Sequence, residues 1–194
     1  LEDLDLFSNQ LTNSIPSSIQ HLTNLKILYL GQNNLNSSIP FQIGNLTKLT
    51  DFRLNSNQLT NSISSSIRYL TNLKLLYLEN NNLNSSIPVQ IGHLTKLKTL
   101  SLYSNKFTGF IPSSIQHLSN LQDLFLHRNM LSGTIPLEFG MLHKLYNIFL
   151  QDNLLFGKLP DIFHNLTNLK RFYISKNKMS GSIPMSILNH NSLE

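Results

Sequence analysis

Few residues of this 194-residue chain have the types and spacing that chemistry needs. Cysteine is absent, so there is no thiolate nucleophile, no thiolate metal ligand and no disulfide. The seven histidines fall at five different positions of a 24-residue repeat, and His93 and His117 alone share a column in adjacent copies. Two neighbouring imidazoles without a third ligand make a poor metal site. The ten acidic residues scatter among the copies, and no glycine-rich phosphate loop, H-E-x-x-H or G-x-S-x-G string occurs. The expectation is a chain with no catalytic residue, no metal and no cofactor.

What does repeat is a set of large side chains suited to recognition. Position 5 of the repeat carries Asp5, Tyr29, Arg53, Tyr77, Ser101, Phe125, Phe149 and Tyr173, and position 7 adds Phe7, Tyr103 and His127. Phe125, Phe149 and Tyr173 fall in consecutive copies, with Arg128, Lys170 and Arg171 beside them. Aromatic and arginine side chains dominate binding hot spots because they bury large areas at modest rotamer cost. The spacing therefore predicts a partner-binding face made of Tyr29, Arg53, Tyr77, Tyr103, Phe125, His127, Arg128, Phe149, Arg171 and Tyr173. The plainer alternative is that aromatics fit a pleated sheet and pack on one another across strands.

The elements that must position these residues are set by the repeat itself. Leucine recurs at 1, 25, 49, 73, 97, 121, 145, 169 and 193, giving eight full copies without insertion or deletion. Each reads LxxLxLxxNxLxxxIPxxIxxLxx, and 55 of the 56 framework slots hold Leu, Ile, Phe or Met, the exception being His190. Apolar positions 4 and 6 alternate with polar neighbours, the period-2 signature of a strand with one buried face. One short strand per copy follows, and stacking places these strands side by side as a parallel sheet. With 40% hydrophobic and only 13% charged residues, the chain has the apolar content to bury such a core.

Two further columns are structural. Position 9 is Asn in all eight copies, from Asn9 to Asn177. A short side chain that both donates and accepts can satisfy backbone groups left unpaired where each strand turns outward. All seven prolines sit at position 16, with Ser64 in the third copy. Proline forces extended geometry on the residue before it, so each I-P pair is expected to be a short extended edge opposite the main sheet.

The string NxLxGxIP, present whole in NKFTGFIP, NMLSGTIP and NKMSGSIP, resembles the plant-type leucine-rich repeat of receptor-like kinase ectodomains, receptor-like proteins and polygalacturonase-inhibiting proteins. The likeness covers the entire chain. It implies an α/β-type solenoid, a curved right-handed superhelix with its parallel sheet on the concave face. It also implies an extracellular or cell-surface setting in perception or defence, with a protein or peptide ligand. Two departures stand out. Position 13 is glycine in the last four copies (Gly109, Gly133, Gly157, Gly181) but Asn13, Ser37, Asn61 and Ser85 in the first four, and the cysteine-bearing caps of that family are missing. Beginning at repeat position 1 and ending two residues into a ninth copy, residues 1–194 read as a single solenoid from the interior of a longer protein. Signal peptide, caps, membrane span or kinase would then lie outside it.

A longer period points to the functional surface. Residues 1–48 and 49–96 match at 36 of 48 positions, a near-duplication, yet six of ten inner positions (2, 3, 5, 7 and 8 of each copy) differ against four of twenty outer exposed ones. Faster change on the inner face suits recognition. A competing surface lies at positions 12 and 14, where Thr12/Ser14, Asn36/Ser38, Thr60/Ser62 and Asn84/Ser86 predict a flat two-column array of small polar groups, suited to ice or another ordered surface. Self-assembly end to end or laterally is a third reading. Glycosylation sequons at Asn36, Asn45, Asn84 and Asn165 all lie at positions 12 or 21, where glycans would leave the inner face clear. No run of eighteen apolar residues predicts membrane contact by this segment. The net charge of +5 falls to about +2 over residues 1–168, too little for a nucleic-acid stripe.

Overall fold

A computed structural model of the chain describes residues 1–190; Leu193, which opens the ninth copy, lies outside the described residues. Each copy contributes two strands, where the alternation at positions 4 and 6 predicts one. The inner strands, from Asp3–Asp5 through Leu75–Tyr77 and Thr99–Ser101 to Arg171–Tyr173, form an eight-stranded parallel sheet in chain order. The outer strands, from Thr12–Asn13 through Asn34–Ser38 and Asn82–Ser86 to Lys178–Ser180, form a second. In Asn34–Ser38 the position-11 residue Leu35 alone is buried, while Asn34, Asn36, Ser37 and Ser38 are exposed.

The two sheets differ in register. The inner sheet pairs equivalent positions, Asp3 with Ile27 and Tyr77 with Ser101. The outer sheet slips by two residues per strand, Ser38 opposite Thr60 and Thr60 opposite Asn82. The two-column array expected at positions 12 and 14 is therefore sheared, with position 14 of one copy beside position 12 of the next.

Between the sheets runs one continuous core. Leu25, Leu49, Leu73, Leu97, Leu121, Leu145 and Leu169 are fully buried. The third side of the solenoid is a stack of five-residue 3-10 helices, Ser17–His21 through Leu137–Met141, followed by Phe163–Asn165 and one α-helical turn, Met185–Leu188. All the prolines but Pro160 begin these helices and lie outside the strands, which corrects the expected edge. Pro16 is extended (φ −69°, ψ 144°), and its carbonyl accepts from the Ile19 N–H at 3.0 Å. A residue without an N–H costs nothing at a helix start, where that donor would have no partner. Ser64, the single replacement, caps its helix with its hydroxyl, which accepts from the Ser66 N–H at 3.2 Å.

Two residues per copy take left-handed backbone. Position 8, from Ser8 to Lys176, has φ between 52° and 57°, and this turn carries the chain off the inner sheet. Position 13 has φ of 66–73° where it is Asn or Ser and 72–86° where it is Gly, so the glycine of the motif answers a steric demand that the first four copies meet without it.

The asparagine ladder runs through the first of these turns. Asn105 Nδ2 donates to the carbonyls of Leu78 (3.0 Å), Leu102 (3.1 Å) and Tyr103 (3.3 Å), and its Oδ1 accepts from the Leu83 N–H at 3.0 Å. Each internal copy repeats the pattern, Asn57 and Asn129 among them. The side chain thus ties the end of one inner strand to the outer strand of the copy before it.

Candidate functional site

Because buried Leu and Phe at positions 4 and 6 face the core, positions 3, 5 and 7 must face outward from the inner sheet. The predicted residues fall into two groups on that surface. In the first, Arg53 lies between two rings, its guanidinium carbon 4.4 Å from the centroid of Tyr29 and 5.0 Å from that of Tyr77. Asp51, two residues earlier on the same strand, takes the guanidinium in a fork, Nε to Oδ1 at 3.0 Å and Nη2 to Oδ2 at 2.9 Å. The Tyr29 hydroxyl donates to the same carboxylate. Burial, reinforced by that carboxylate, pushes the Tyr29 phenol up to about 12. Tyr29, Arg53 and Tyr77 are therefore committed to one another and to Asp51. Sequence reasoning missed Asp51, although D-F-R puts a carboxylate and a guanidinium on one face of one strand.

In the second group five rings form a continuous contact chain. Tyr103 stacks on His127 at 4.4 Å, His127 meets Phe149 edge-on at 6.0 Å, and Phe149 contacts Phe125 at 5.0 Å and stacks on Tyr173 at 4.6 Å. Phe125, Phe149 and Tyr173 are in register on consecutive strands, as expected. They are less open than an exposed stripe implies, because Phe125 and Phe149 are half-buried against their neighbours and Tyr173 alone is exposed. Ring-on-ring packing holds Phe125 and Phe149, while Tyr173 offers exposed aromatic surface. Arg128 is exposed on the left-handed turn of its copy, and Arg171 is exposed at the strand start opposite Asn147.

Beneath these rings lies a signal the sequence does not carry. Among the described residues, three inner-face side-chain polar atoms of copies 6 and 7 are buried without a hydrogen-bond partner: His127 Nδ1, Asn147 Oδ1 and Gln151 Oε1. Buried polar groups are normally paired, so a cluster of exceptions calls for a partner from outside. In copies 4 and 5 the buried Glu79 carboxyl and Ser101 hydroxyl face each other. Burial holds the Glu79 carboxyl above the ordinary carboxylate range and the His127 imidazole below its own. Beside the cluster, Gln122, Asp123, Lys144, Tyr146 and Asn168 line an open cleft of about 460 Å³. Orphaned atoms of this kind leave no trace in a repeat pattern, because each depends on its neighbours' rotamers.

The other surfaces are also placed. The sequon asparagines Asn36, Asn45, Asn84 and Asn165 are all exposed and off the inner sheet. Of the twelve residues at positions 12–14 of copies 1 to 4, eleven are exposed and Thr60 is half-exposed. In later copies Phe110, Met130, Leu154 and Phe156 expose apolar surface on the same side. No three His, Cys, Asp or Glu side chains among the described residues come together to hold a metal ion. No described helix is long and apolar enough to cross a membrane.

Comparison with known proteins agrees with this architecture. Profiles described as "Leucine rich repeat" match residues 71–131 and 95–155, and others described as "Leucine Rich Repeat" match 1–22 and 24–46. Over 55 residues the chain is 46% identical to the LRR receptor-like serine/threonine-protein kinase EFR of Arabidopsis thaliana, which is 28% of this chain and 5% of that protein. Its fold superposes with a TM-score of 0.97 and 36% identity on the LRR ectodomain of the plant membrane receptor kinase GASSHO1/SCHENGEN3 from Arabidopsis thaliana, solved in complex with CASPARIAN STRIP INTEGRITY FACTOR 2. All of this chain and 23% of that one are covered. The plant peptide hormone receptor RGFR1, solved in complex with RGF2, superposes equally well at 37% identity, with 100% of this chain and 31% of that one covered. A plant ice-binding protein is more distant, at TM-score 0.73 and 28% identity over 95% of this chain and 67% of that one. The chain thus spans a small part of the receptors it resembles. From the repeat, the two parallel sheets and these matches together, the chain belongs to the leucine-rich repeat family, with repeats of the plant type.

Proposed function

We propose that this segment is a non-catalytic recognition surface of an extracellular or cell-surface protein and binds a peptide or protein ligand across the concave inner sheet. The observation that carries the reading is the meeting of two features: a chain of contacting rings on copies 5 to 8, and buried polar atoms without partners at His127, Asn147 and Gln151 among them. Rings supply apolar area, and unpaired polar groups supply an incentive for a ligand that hydrogen-bonds there. The peptide hormone receptor RGFR1, solved in complex with RGF2, supports the same use of the fold. Glycans on Asn36, Asn45, Asn84 and Asn165 would leave this face open. The test is retention from an extract of the source tissue by the wild-type segment and by a Phe125→Ala, Phe149→Ala, Tyr173→Ala variant. A peptide or protein held by the first and lost by the second is expected, and undiminished retention by the variant refutes the reading.

A second reading rests on the outer sheet. Its first four strands expose a contiguous field of Thr, Asn and Ser, and a plant ice-binding protein shares the fold. The register slip makes the field oblique, and sugars at Asn36 and Asn84 would cover it. Inhibition of ice recrystallisation that is lost in Thr60→Tyr would favour this reading over the first.

A further inference from the structure

The position-5 column contains the same arrangement twice, once complete and once missing a side chain. In copies 2 to 4 the order is Tyr29, Arg53, Tyr77, and the arginine fills the slot between the rings with Asp51 forked on its guanidinium. In copies 4 to 6 the order is Tyr77, Ser101, Phe125, in register on adjacent strands. Flanking rings remain, but the residue between them is cut back to a hydroxyl.

The acid of the first slot also has a counterpart in the second. Asp123 Oδ2 lies 3.4 Å from the hydroxyl of Thr99, which stands to Ser101 as Asp51 stands to Arg53. Its Oδ1 accepts from Asn147 Nδ2 at 2.6 Å. A second carboxyl, Glu79, follows Tyr77 by two residues; it is 8% exposed and faces the hydroxyl of Ser101, itself 1% exposed. At inward positions 3, 5 and 7 of copies 3 to 6, three carboxylates (Asp51, Glu79, Asp123) face one arginine, in a chain whose net charge is +5. The surplus of acid calls for a cation.

We propose that the slot over Ser101 seats an arginine or lysine side chain of the bound peptide, which takes between Tyr77 and Phe125 the place that Arg53 takes between Tyr29 and Tyr77. The cation meets Glu79 on one side and Asp123 on the other, while the flanking rings cover its faces. Ser101 is buried, so Tyr77 and Phe125, both half-exposed, must part to admit it. Arg53 is thus an internal copy of the ligand's side chain. The inference rests on the peptide-binding reading above and adds to it a basic anchor at a stated position.

The test uses two synthetic probes, acetyl-Phe-Gly-Arg-Gly-Phe-amide and its citrulline analogue, which keeps the shape and removes the charge. Binding is followed by amide chemical shifts of residues 75–105. The arginine probe should bind the wild type at least tenfold more tightly than the citrulline probe, and Glu79→Gln should remove that preference. Ser101→Arg should do the same by filling the slot from within, and should raise the melting temperature by stacking as Arg53 does. Equal affinity for both probes, lost in the Phe125→Ala, Phe149→Ala, Tyr173→Ala variant, overturns the cation seat and leaves the peptide reading standing. Absence of binding by either probe at millimolar concentration overturns the seat as well, and the peptide reading is then judged by the extract experiment. A lowered melting temperature in Ser101→Arg overturns it independently of any probe.

Discussion

Replacing Asn105 by alanine measures what one rung of the asparagine ladder contributes. Its amide touches three carbonyls, and each has a second donor: Leu102 O also accepts from Asn129 at 3.0 Å, Leu78 O from Asn81 at 3.1 Å and Tyr103 O from the Asn80 N–H at 3.0 Å. The ladder is redundant toward its acceptors. Its distinctive service is to the Leu83 N–H, which donates to Asn105 Oδ1 and whose residue is fully buried. The loss is therefore close to that of one buried, orphaned donor, about 1–3 kcal/mol, and not to the sum of four bonds. Asn9 supplies the control. Exposed, in the first copy, it donates at 3.1 and 3.3 Å to Leu6 and Phe7 carbonyls, and Leu6 O keeps a 2.9 Å bond from Asn33. Asn9→Ala orphans no donor and should cost less than about 0.5 kcal/mol. Urea unfolding of the two variants, read as the shift in midpoint at constant slope, gives both numbers. Equal losses at the two sites would refute the assignment of the cost to the Leu83 donor.

Other outcomes follow from strain and charge. Gly133 has φ +84°, and a Cβ there would lie 2.3 Å from the Phe110 ring, so Gly133→Ala should destabilise by about 2 kcal/mol or more. Ser37→Gly, at φ 73°, should stabilise by about 0.5–1 kcal/mol, and a melting temperature lowered by the second change would contradict the steric account. Glu79 holds its proton more tightly folded than unfolded, so stability is greatest below the unfolded carboxylate range and falls as pH rises through the folded value. Glu79→Gln should consequently raise the melting temperature at pH 7 more than at pH 4; an equal effect at both would rule this out. The Tyr29 phenol, raised to about 12, keeps its stabilising proton up to about pH 10, and that contribution is lost as pH rises from there through 12. Its ultraviolet titration, taken as wild type minus Tyr29→Phe, should centre near 12 and not near 10.

How much of this was legible in the sequence depends on whether a feature is periodic. The inner strands, their parallel order, the core leucines and the asparagine ladder all follow from spacing, since each is dictated by one copy and repeated. The outer sheet escaped because only Leu at position 11 marks it, and a single buried residue carries no visible period. The proline column was placed correctly in conformation but not in role, because the same φ serves a strand edge and a helix start. At the binding face the aromatic residues could be named, and their consecutive order on the sheet follows from the repeat length. That Arg53 is held by Asp51, and that Glu79 is buried against Ser101, depends on which rotamers neighbouring copies leave open. These are properties of pairs of copies, to which a reading of single columns is blind.

The ladder also gives the solenoid a direction. Every internal Asn accepts from an N–H of the copy before it, so each copy's outer strand is completed by its successor, as Leu35 is by Asn57 and Leu131 by Asn153. Within the ladder, taking copies away from the N-terminal side removes one of the three carbonyls that an asparagine amide touches, as Leu6 O is one of three for Asn33. Taking them away from the C-terminal side removes the side-chain acceptor of a buried leucine N–H, as Asn57 is for Leu35. Two fragments of equal length, trimmed from opposite ends, should accordingly differ in stability, and unwinding should begin at the trailing end. The stack behaves as a ratchet, each turn held shut by the one laid down after it.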